Sequence, residues 1–346
     1  MAVTSISNPN ASNNGADTRA IALKVFSGEL LAAFERKALV RKTLMSKSIS
    51  HGKSSQFPAF GRAASAYHVR GANLLASAEG PLTTINTVER LINVDELLTS
   101  ATFVTDLDEM LSAFDSRSVF VTQLAESIAR TVDFNCIRQI VRAARTNRAN
   151  DATFMPVTSG TAFDGEFISA TGFTAAVTTA NGALMLTSLH QAASKLDANE
   201  VPREGRFAAM SPDHYWSLIE NREILNQDYG NGANGVQYKG AVAVAGGFQL
   251  IESTQLPTTS NTLVGATVGE VEDYSGDFRG LQALAYHSSA AGVLNRADIS
   301  LEIERKVEYQ GTLLLAKTLL GVGRLRPEAS VEISTDATQA TLSPTT

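Results

Sequence analysis

Gly230-Asn-Gly-Ala-Asn-Gly235 spells G-x-G-x-x-G. That run cradles a dinucleotide pyrophosphate when it follows an apolar strand and opens a helix. Here a helical pattern ending near Leu225 precedes it, and Val-Gln-Tyr-Lys-Gly follows with no helical period, so a surface loop is expected. His51-Gly-Lys-Ser54 ends like a phosphate loop, but the position five before Gly52 is Lys47. Without that first glycine the backbone N–H groups cannot wrap a phosphate. Ser211, Asp213 and His214 offer triad residue types, yet no G-x-S-x-G turn presents a serine, and His214 reads as a surface residue in a first helical turn. Cys136 sits inside a long helical pattern and reads as a small packed residue rather than a thiolate. Glu302 and Glu304 share one strand face, which suits solvation better than acid/base pairing. His51, His68, His190, His214 and His287 are scattered with no metal-ligand spacing. No catalytic, cofactor or metal site is therefore expected. The one pattern that invites a role is Arg138, Arg142, Arg145 and Arg148, recurring every three or four residues near the end of a helical span. Such cations either complement the helix dipole as a solvated end or meet acidic groups on a partner.

The elements that must position these residues are uneven. Residues 1–19 are rich in Ser, Asn, Ala and Gly, without apolar period, and read as a loose tail. Leu23, Phe26, Leu30, Leu31 and Phe34 then form one helical stripe, which needs a surface to lie on. Around 55–61 the aromatics of Ser-Gln-Phe-Pro-Ala-Phe-Gly flank a proline, as in an edge strand. Thr84 to Val94 reads as a second strand, giving a weak hairpin with too few apolar residues to fold alone. From Asp106 to Arg148 no Pro or Gly interrupts a helical span, in which Leu107, Met110, Leu111 and Phe114 make one stripe; Asp115-Ser-Arg117 is a candidate break. A helix is expected around Leu184–Leu196, another from Ser211-Pro212, a strand pair across Gly246-Gly247, a short strand at Leu281–Tyr286, a half-exposed strand at Leu301–Tyr309 and a more buried one at Leu313–Leu320.

Bulk properties narrow the class. The chain has 346 residues, 44% hydrophobic and 18% charged, with net charge -6. The acidic balance argues against a protein whose main task is gripping nucleic acid. One cysteine excludes an internal disulfide framework. No apolar run approaches the roughly 20 residues of a bilayer span and the N-terminus is polar, so a soluble protein made in a reducing cytoplasm, with no membrane partner, is expected. Arms, an overlong helix and loose ends are parts that make sense when copies interlock.

Particular segments carry a resemblance. Leu23-Lys-Val-Phe-Ser-Gly-Glu-Leu-Leu-Ala-Ala-Phe34 and Ser48-Ile-Ser-His-Gly-Lys-Ser-Ser-Gln-Phe-Pro58 resemble the major capsid proteins of T-7-like short-tailed phages, the podovirus type. So do Asp115-Ser-Arg-Ser118, Gln123-Leu-Ala-Glu-Ser127, Gly240 through Gly247-Phe248 to Leu256-Pro257, and Gly321-Val-Gly-Arg-Leu-Arg-Pro-Glu-Ala329. The resemblance spans roughly residues 20–330. It implies the α+β HK-97-type fold: an N-terminal arm at 1–47, an extended loop at 48–95, a peripheral domain at 96–180 and 291–346 with a spine helix at about 116–148, and an axial domain at 181–290. It implies hexamers and pentamers that form an icosahedral head, T=7, assembled in the host cytoplasm with a scaffolding protein, bearing a portal at one vertex and enclosing double-stranded DNA without sequence-specific binding. Contacts between subunits are expected at Phe26, Phe34, Lys53, Phe57, Phe60, Arg62, Arg70, Arg138, Arg142, Arg145, Arg324 and Arg326. An encapsulin-like bacterial compartment shell shares the fold and is the alternative; the quoted segments favour the phage family. A nucleotide-dependent enzyme using 51–54 or 230–235 is the third reading.

Overall fold

The computed structural model describes residues 39–60, 87–112, 116–146, 164–174, 177–221, 244–256, 270–278 and 280–335, with scattered positions between 65 and 73. The N-terminal stripe with Phe26 and Phe34, the Gly230–Gly235 run, Arg62, Arg148 and the tail after 335 lie outside them.

Its strands in chain order are β1 (Met45–Ser48), β2 (Ser54–Phe60), β3 (Thr87–Asn93), β4 (Leu98–Thr105), β5 (Glu166–Ser169), β6 (Arg206–Met210), β7 (Val244–Ala245), β8 (Phe248–Glu252), β9 (Leu281–His287), β10 (Ala291–Lys306), β11 (Gly311–Arg324) and β12 (Ser330–Ser334). Its helices are α1 (Asp106–Leu111), α2 (Ser116–Ala144), α3 (Thr179–Ala198) and α4 (Pro212–Glu220).

The span expected as one long helix is two. Thr105 caps α1, its Oγ1 accepting from the Asp108 amide at 3.2 Å. α2 then runs 29 residues, about 43 Å at 1.5 Å per residue. Leu124, Ile128, Val132, Cys136, Ile137, Ile140, Val141 and Ala144 line its buried side, at the i, i+3, i+4 spacing that keeps one face inward. The apolar stripe expected for the first part ends differently: Leu107, Met110 and Leu111 of α1 are exposed, Met110 by 82%.

Two sheets carry the body. One has the order β1-β10-β11-β4, with β10–β11 and β11–β4 antiparallel and β1 parallel to β10. The other is β5-β12-β9-β6-β8-β7. α2 packs across β11, β4, β12 and β10, and α3 packs with α4 and against β12 and β5. A single large core joins α2 to both sheets. β5 and β12, which the resemblance assigns to the peripheral domain, pair with each other, and β12 pairs with β9 of the strands drawn from 206–287. The strand pair at Gly246-Gly247 forms as expected, with both glycines at positive φ in the turn.

The weak hairpin is β2 paired with β3, Ser54 opposite Asn93 through Phe60 opposite Thr87. His51-Gly-Lys-Ser54 is the turn that leads into it, Gly52 taking φ +91°. The strand expected to be half-exposed is not. β10 is buried from Ala291 to Leu294 and exposed at every position from Ala297 to Arg305, on both faces, and 307–309 is a short 3-10 turn rather than strand.

Candidate assembly interface

Two aspartates, Asp133 buried and Asp95 half-buried, hold the chain at residue 39 and at the end of the β2–β3 hairpin. Asp133 on α2 accepts the Leu39 amide at 2.6 Å and the Arg41 amide at 3.0 Å, fixing the chain where it emerges from residues 1–38. Thr43 Oγ1, bonded to Tyr286 Oη at 2.8 Å, holds the next turn. Asp95, two residues beyond β3, accepts the Val271 and Glu272 amides at 2.9 and 3.0 Å and the Tyr274 hydroxyl at 2.5 Å. Burial raises both carboxyls above the ordinary carboxylate range, against the pull of these donors. Neither aspartate stood out in the sequence, Asp133 falling inside the helical span and Asp95 just past the second strand of the hairpin.

The hairpin root is also seated sterically. Ile92 is fully buried with Leu294 and Leu325, and Ile49, Phe57 and Val94 pack around them. It enters a notch formed by Gly292 and Gly323, which face each other across β10 and β11. A Cβ at Gly323 would lie 2.8 Å from Ile92 Cγ1, and one at Gly321 would lie 1.9 Å from the Asn93 carbonyl oxygen. These glycines are there for close approach rather than for unusual φ. Here lies the physical content of the Gly321-Val-Gly323 segment quoted above.

Of the residues expected at subunit contacts, Lys53 is exposed at the hairpin turn and its carbonyl accepts the Val94 amide at 2.8 Å. Phe57 is half-buried at the root, with Lys47 Nζ 5.3 Å from its ring centroid. Phe60 ends β2, and Arg70 is exposed. Arg326 is exposed and pairs with Glu328 at 2.8 Å, while Arg324 donates to Thr146 Oγ1 at 2.8 Å.

The arginine stripe finds its acids inside the chain. Arg138 lies 3.9 Å from Glu270 and stacks on Phe134 at 3.9 Å. Arg142 pairs with Asp273 at 2.7 Å and donates to the Ser275 carbonyl at 2.8 Å. Arg145 grips Glu332 with two bonds of 2.6 Å each and reaches the Asp277 carbonyl. The side chains of all three are nearly solvent-free. Asp273 is held at about 2: burial works against its ionisation, and hydrogen bonds from Arg142 and Ser275 together outweigh it. The stripe is therefore neither a solvated helix end nor an outward-facing surface. Arginine is tolerated in the core because each guanidinium is paired there.

The triad residue types resolve in the same direction. His214 is buried, not on the surface; its Nε2 bonds to Gln282 Oε1 and its ring meets Phe173 edge-on at 5.0 Å. Cys136 is fully buried, and burial pushes its thiol up, away from thiolate. Among the described residues no cluster of acids, His and Cys could hold a metal, and no helix is long and apolar enough to cross a membrane. Glu302 and Glu304 pair with Lys317 and Lys306 on an exposed strand.

One group of exposed apolar side chains lies at one end of the four-stranded sheet. Ile299, Leu301 and Ile303 on β10 and Val307 and Tyr309 in the following turn are exposed, Ile303 by 60%, beside Leu107 and Met110 of α1. Arg305 pairs with Asp106 at 2.9 Å, and the Asp106 amide donates to the Gln310 carbonyl at 2.9 Å, which binds α1 to this end. β1 pairs only with Gly292–Asn295. Beyond it, no strand among the described residues pairs with the outer side of β10, which carries these apolar side chains. A long, apolar, open edge is what a soluble monomer avoids.

Comparison with known proteins accords with this. Residues 56–334 match the family described as Gp10A-like major capsid protein. The chain is 30% identical over 327 residues to the major capsid protein of Escherichia phage T7, covering 91% of each. The capsid structure of the cyanophage P-SCSP1u superposes with a TM-score of 0.71 at 31% identity, over 96% of this chain and 99% of that one. The mature capsid of bacteriophage PhiM1, at 18% identity and a TM-score of 0.68 over 95% and 96% of the two chains, shares the fold. The chain belongs to the Gp10A-like major capsid protein family: it is a non-enzymatic, shell-building subunit of a tailed phage with the HK-97-type α+β fold.

Proposed function

We propose that the subunit forms hexameric and pentameric capsomers of an icosahedral T=7 head, and that the open end of β10, with α1 and the 307–309 turn, is covered by a neighbouring copy. The observation that carries this is β10 itself, exposed on both faces from Ala297 to Arg305 while holding Ile299, Leu301 and Ile303. An exposed apolar side chain of this size gains roughly 1.5–3 kcal/mol when fully covered. Contacts of that size, repeated by every copy around a closed shell, make it stable although each is modest.

In this reading residues 1–47 are an arm, 48–95 an extended loop whose tip lies on the next subunit, and the four-stranded sheet with α2 the peripheral domain. The six-stranded sheet, with β5 and β12 included, is the axial domain. Assembly proceeds in the host cytoplasm with a scaffolding protein and around a portal, and the finished head encloses double-stranded DNA. The net charge of -6 suits a wall that does not retain the genome. The test is Ile303→Lys, co-expressed with the phage's scaffolding protein and imaged by electron microscopy. Because Ile303 is exposed, the variant's unfolding midpoint should stay at the wild-type value while shells and capsomer rings are lost. Normal shells from this variant would refute the proposed contact.

A further inference from the structure

Residues 270–277 are gripped from two sides. On one side α2 holds them: Gln139 Nε2 donates to the Asp273 carbonyl at 2.8 Å, Arg142 pairs with Asp273 and donates to the Ser275 carbonyl, and Arg145 donates to the Asp277 carbonyl. On the other side they hold the hairpin root. Asp95 accepts the Val271 and Glu272 amides and the Tyr274 hydroxyl. Glu272 Oε1 accepts the Asn93 amide at 2.8 Å and the Asn93 side-chain amide at 3.2 Å. Tyr274 Oη in turn accepts the Val322 amide at 3.0 Å, so the same hydroxyl ties root, strap and β11 together. The charges alternate along the strap: Glu270 and Asp273 face helix arginines, and Glu272 between them faces the hairpin.

We propose that residues 270–277 are a mechanical strap coupling the seating of the β2–β3 hairpin to the long helix, so that loosening either attachment loosens the other. Two attachment sites on one short segment have this property when the segment holds its shape between them. Asp273 supplies that shape: its Oδ1 accepts the Ser275 amide at 2.9 Å and the Ser275 hydroxyl at 2.5 Å, closing a tight turn between two helix-facing residues around Tyr274, which reaches the hairpin root. In the shell, a neighbour's contact on the hairpin would thereby reach the core of the subunit. That consequence rests on the assembly reading; the coupling within the chain does not.

The experiment is hydrogen–deuterium exchange on the full-length unassembled chain. Arg142→Ala, which touches only the helix side, should raise exchange about tenfold at the Asn93 amide on the hairpin side, read in a peptide spanning 87–97. A control peptide over β6 should not change. By reciprocity, Asp95→Asn should loosen 273–277 to a similar degree. Faster exchange within 270–277 with an unchanged 87–97 peptide would overturn the proposal, since the two grips would then be independent. Should Arg142→Ala fail to fold, Gln139→Ala removes a milder helix-side bond and is read in the same way. Its outcome is independent of whether either variant assembles.

Discussion

Glu332 is fully buried on β12 and is met by a two-pronged bond from Arg145, Nε to Oε2 and Nη2 to Oε1, each 2.6 Å. Replacing Glu332 by Leu removes the carboxylate and leaves the guanidinium in the core with the Asp277 carbonyl and the face of Phe278, 5.6 Å from its centroid. An uncompensated buried charge of this kind costs about 3–5 kcal/mol. Arg145→Met should cost about as much, for the opposite charge. The double variant Arg145→Met/Glu332→Leu removes both charges and should recover most of the loss, falling short by about 1 kcal/mol for the hydrogen bond to Asp277 that has no replacement. At about 2.1 cal/mol/K per residue, unfolding this chain carries an entropy near 0.7 kcal/mol/K, so each single variant should lower the melting temperature by about 4–7 °C. Urea and thermal melts of the unassembled chain, followed through its one tryptophan, Trp216, give both numbers. The refuting result is a pair of single variants that melt with the wild type yet fail to build shells. Arg145 would then act between subunits, and its burial within the chain would not be what it is for.

Two further outcomes follow from particular contacts. Gly321→Ala would place a Cβ 1.9 Å from the Asn93 carbonyl oxygen, so the hairpin root must lift from β11. A loss of about 1–3 kcal/mol and faster proteolysis within 54–93 are expected, and an unchanged melt would show that the root is not seated in the glycine notch. His214 is buried, and burial lowers its pKa from 6.5 in spite of the bond to Gln282. The folded chain keeps the ring neutral where the unfolded chain protonates it, so stability is full above about pH 6.5 and falls as the pH drops below that value. His214→Gln should flatten part of the slope between pH 6.5 and 5, leaving the contribution of His287, which burial shifts in the same direction. Equal slopes in urea melts of the two proteins would remove His214 from the account.

The patterns that were legible in the sequence are those set by neighbours in the chain. The Ser211-Pro212 start of α4, the turn at Gly246-Gly247 and the β2 and β3 strands all rest on local turn, cap and alternation chemistry, and all are present. What could not be read was the destination of a face. The arginine spacing 138, 142, 145 correctly marks one side of α2, but Glu332 lies 187 positions from Arg145, and Glu270 and Asp273 sit on a distant segment with no pattern of its own. The alternation correctly marks Leu301 and Ile303 as one apolar side of β10, though 307–309 leaves the strand, and periodicity says only that a face wants cover, not which chain supplies it. In a protein that folds alone, these two readings would follow the usual rule, with charge outward and apolar inward. Here both are reversed: the charged stripe is buried and the apolar one is bare. For Glu332 and Asp273 the reversal has an internal cause, because each arginine finds a partner in the same chain. For Leu301 and Ile303 the described residues hold no such partner, which is why the open edge of β10 points to a second copy. The hairpin makes the same point from the other side, since its root is held by a glycine notch and a strap while, among the described residues, β2 and β3 bring only Ile92 and Phe57 to a buried cluster. A subunit built to be completed by its neighbours must fix where its appendages leave the body, and Asp95 and Asp133 do so with backbone amides that no periodic pattern reveals.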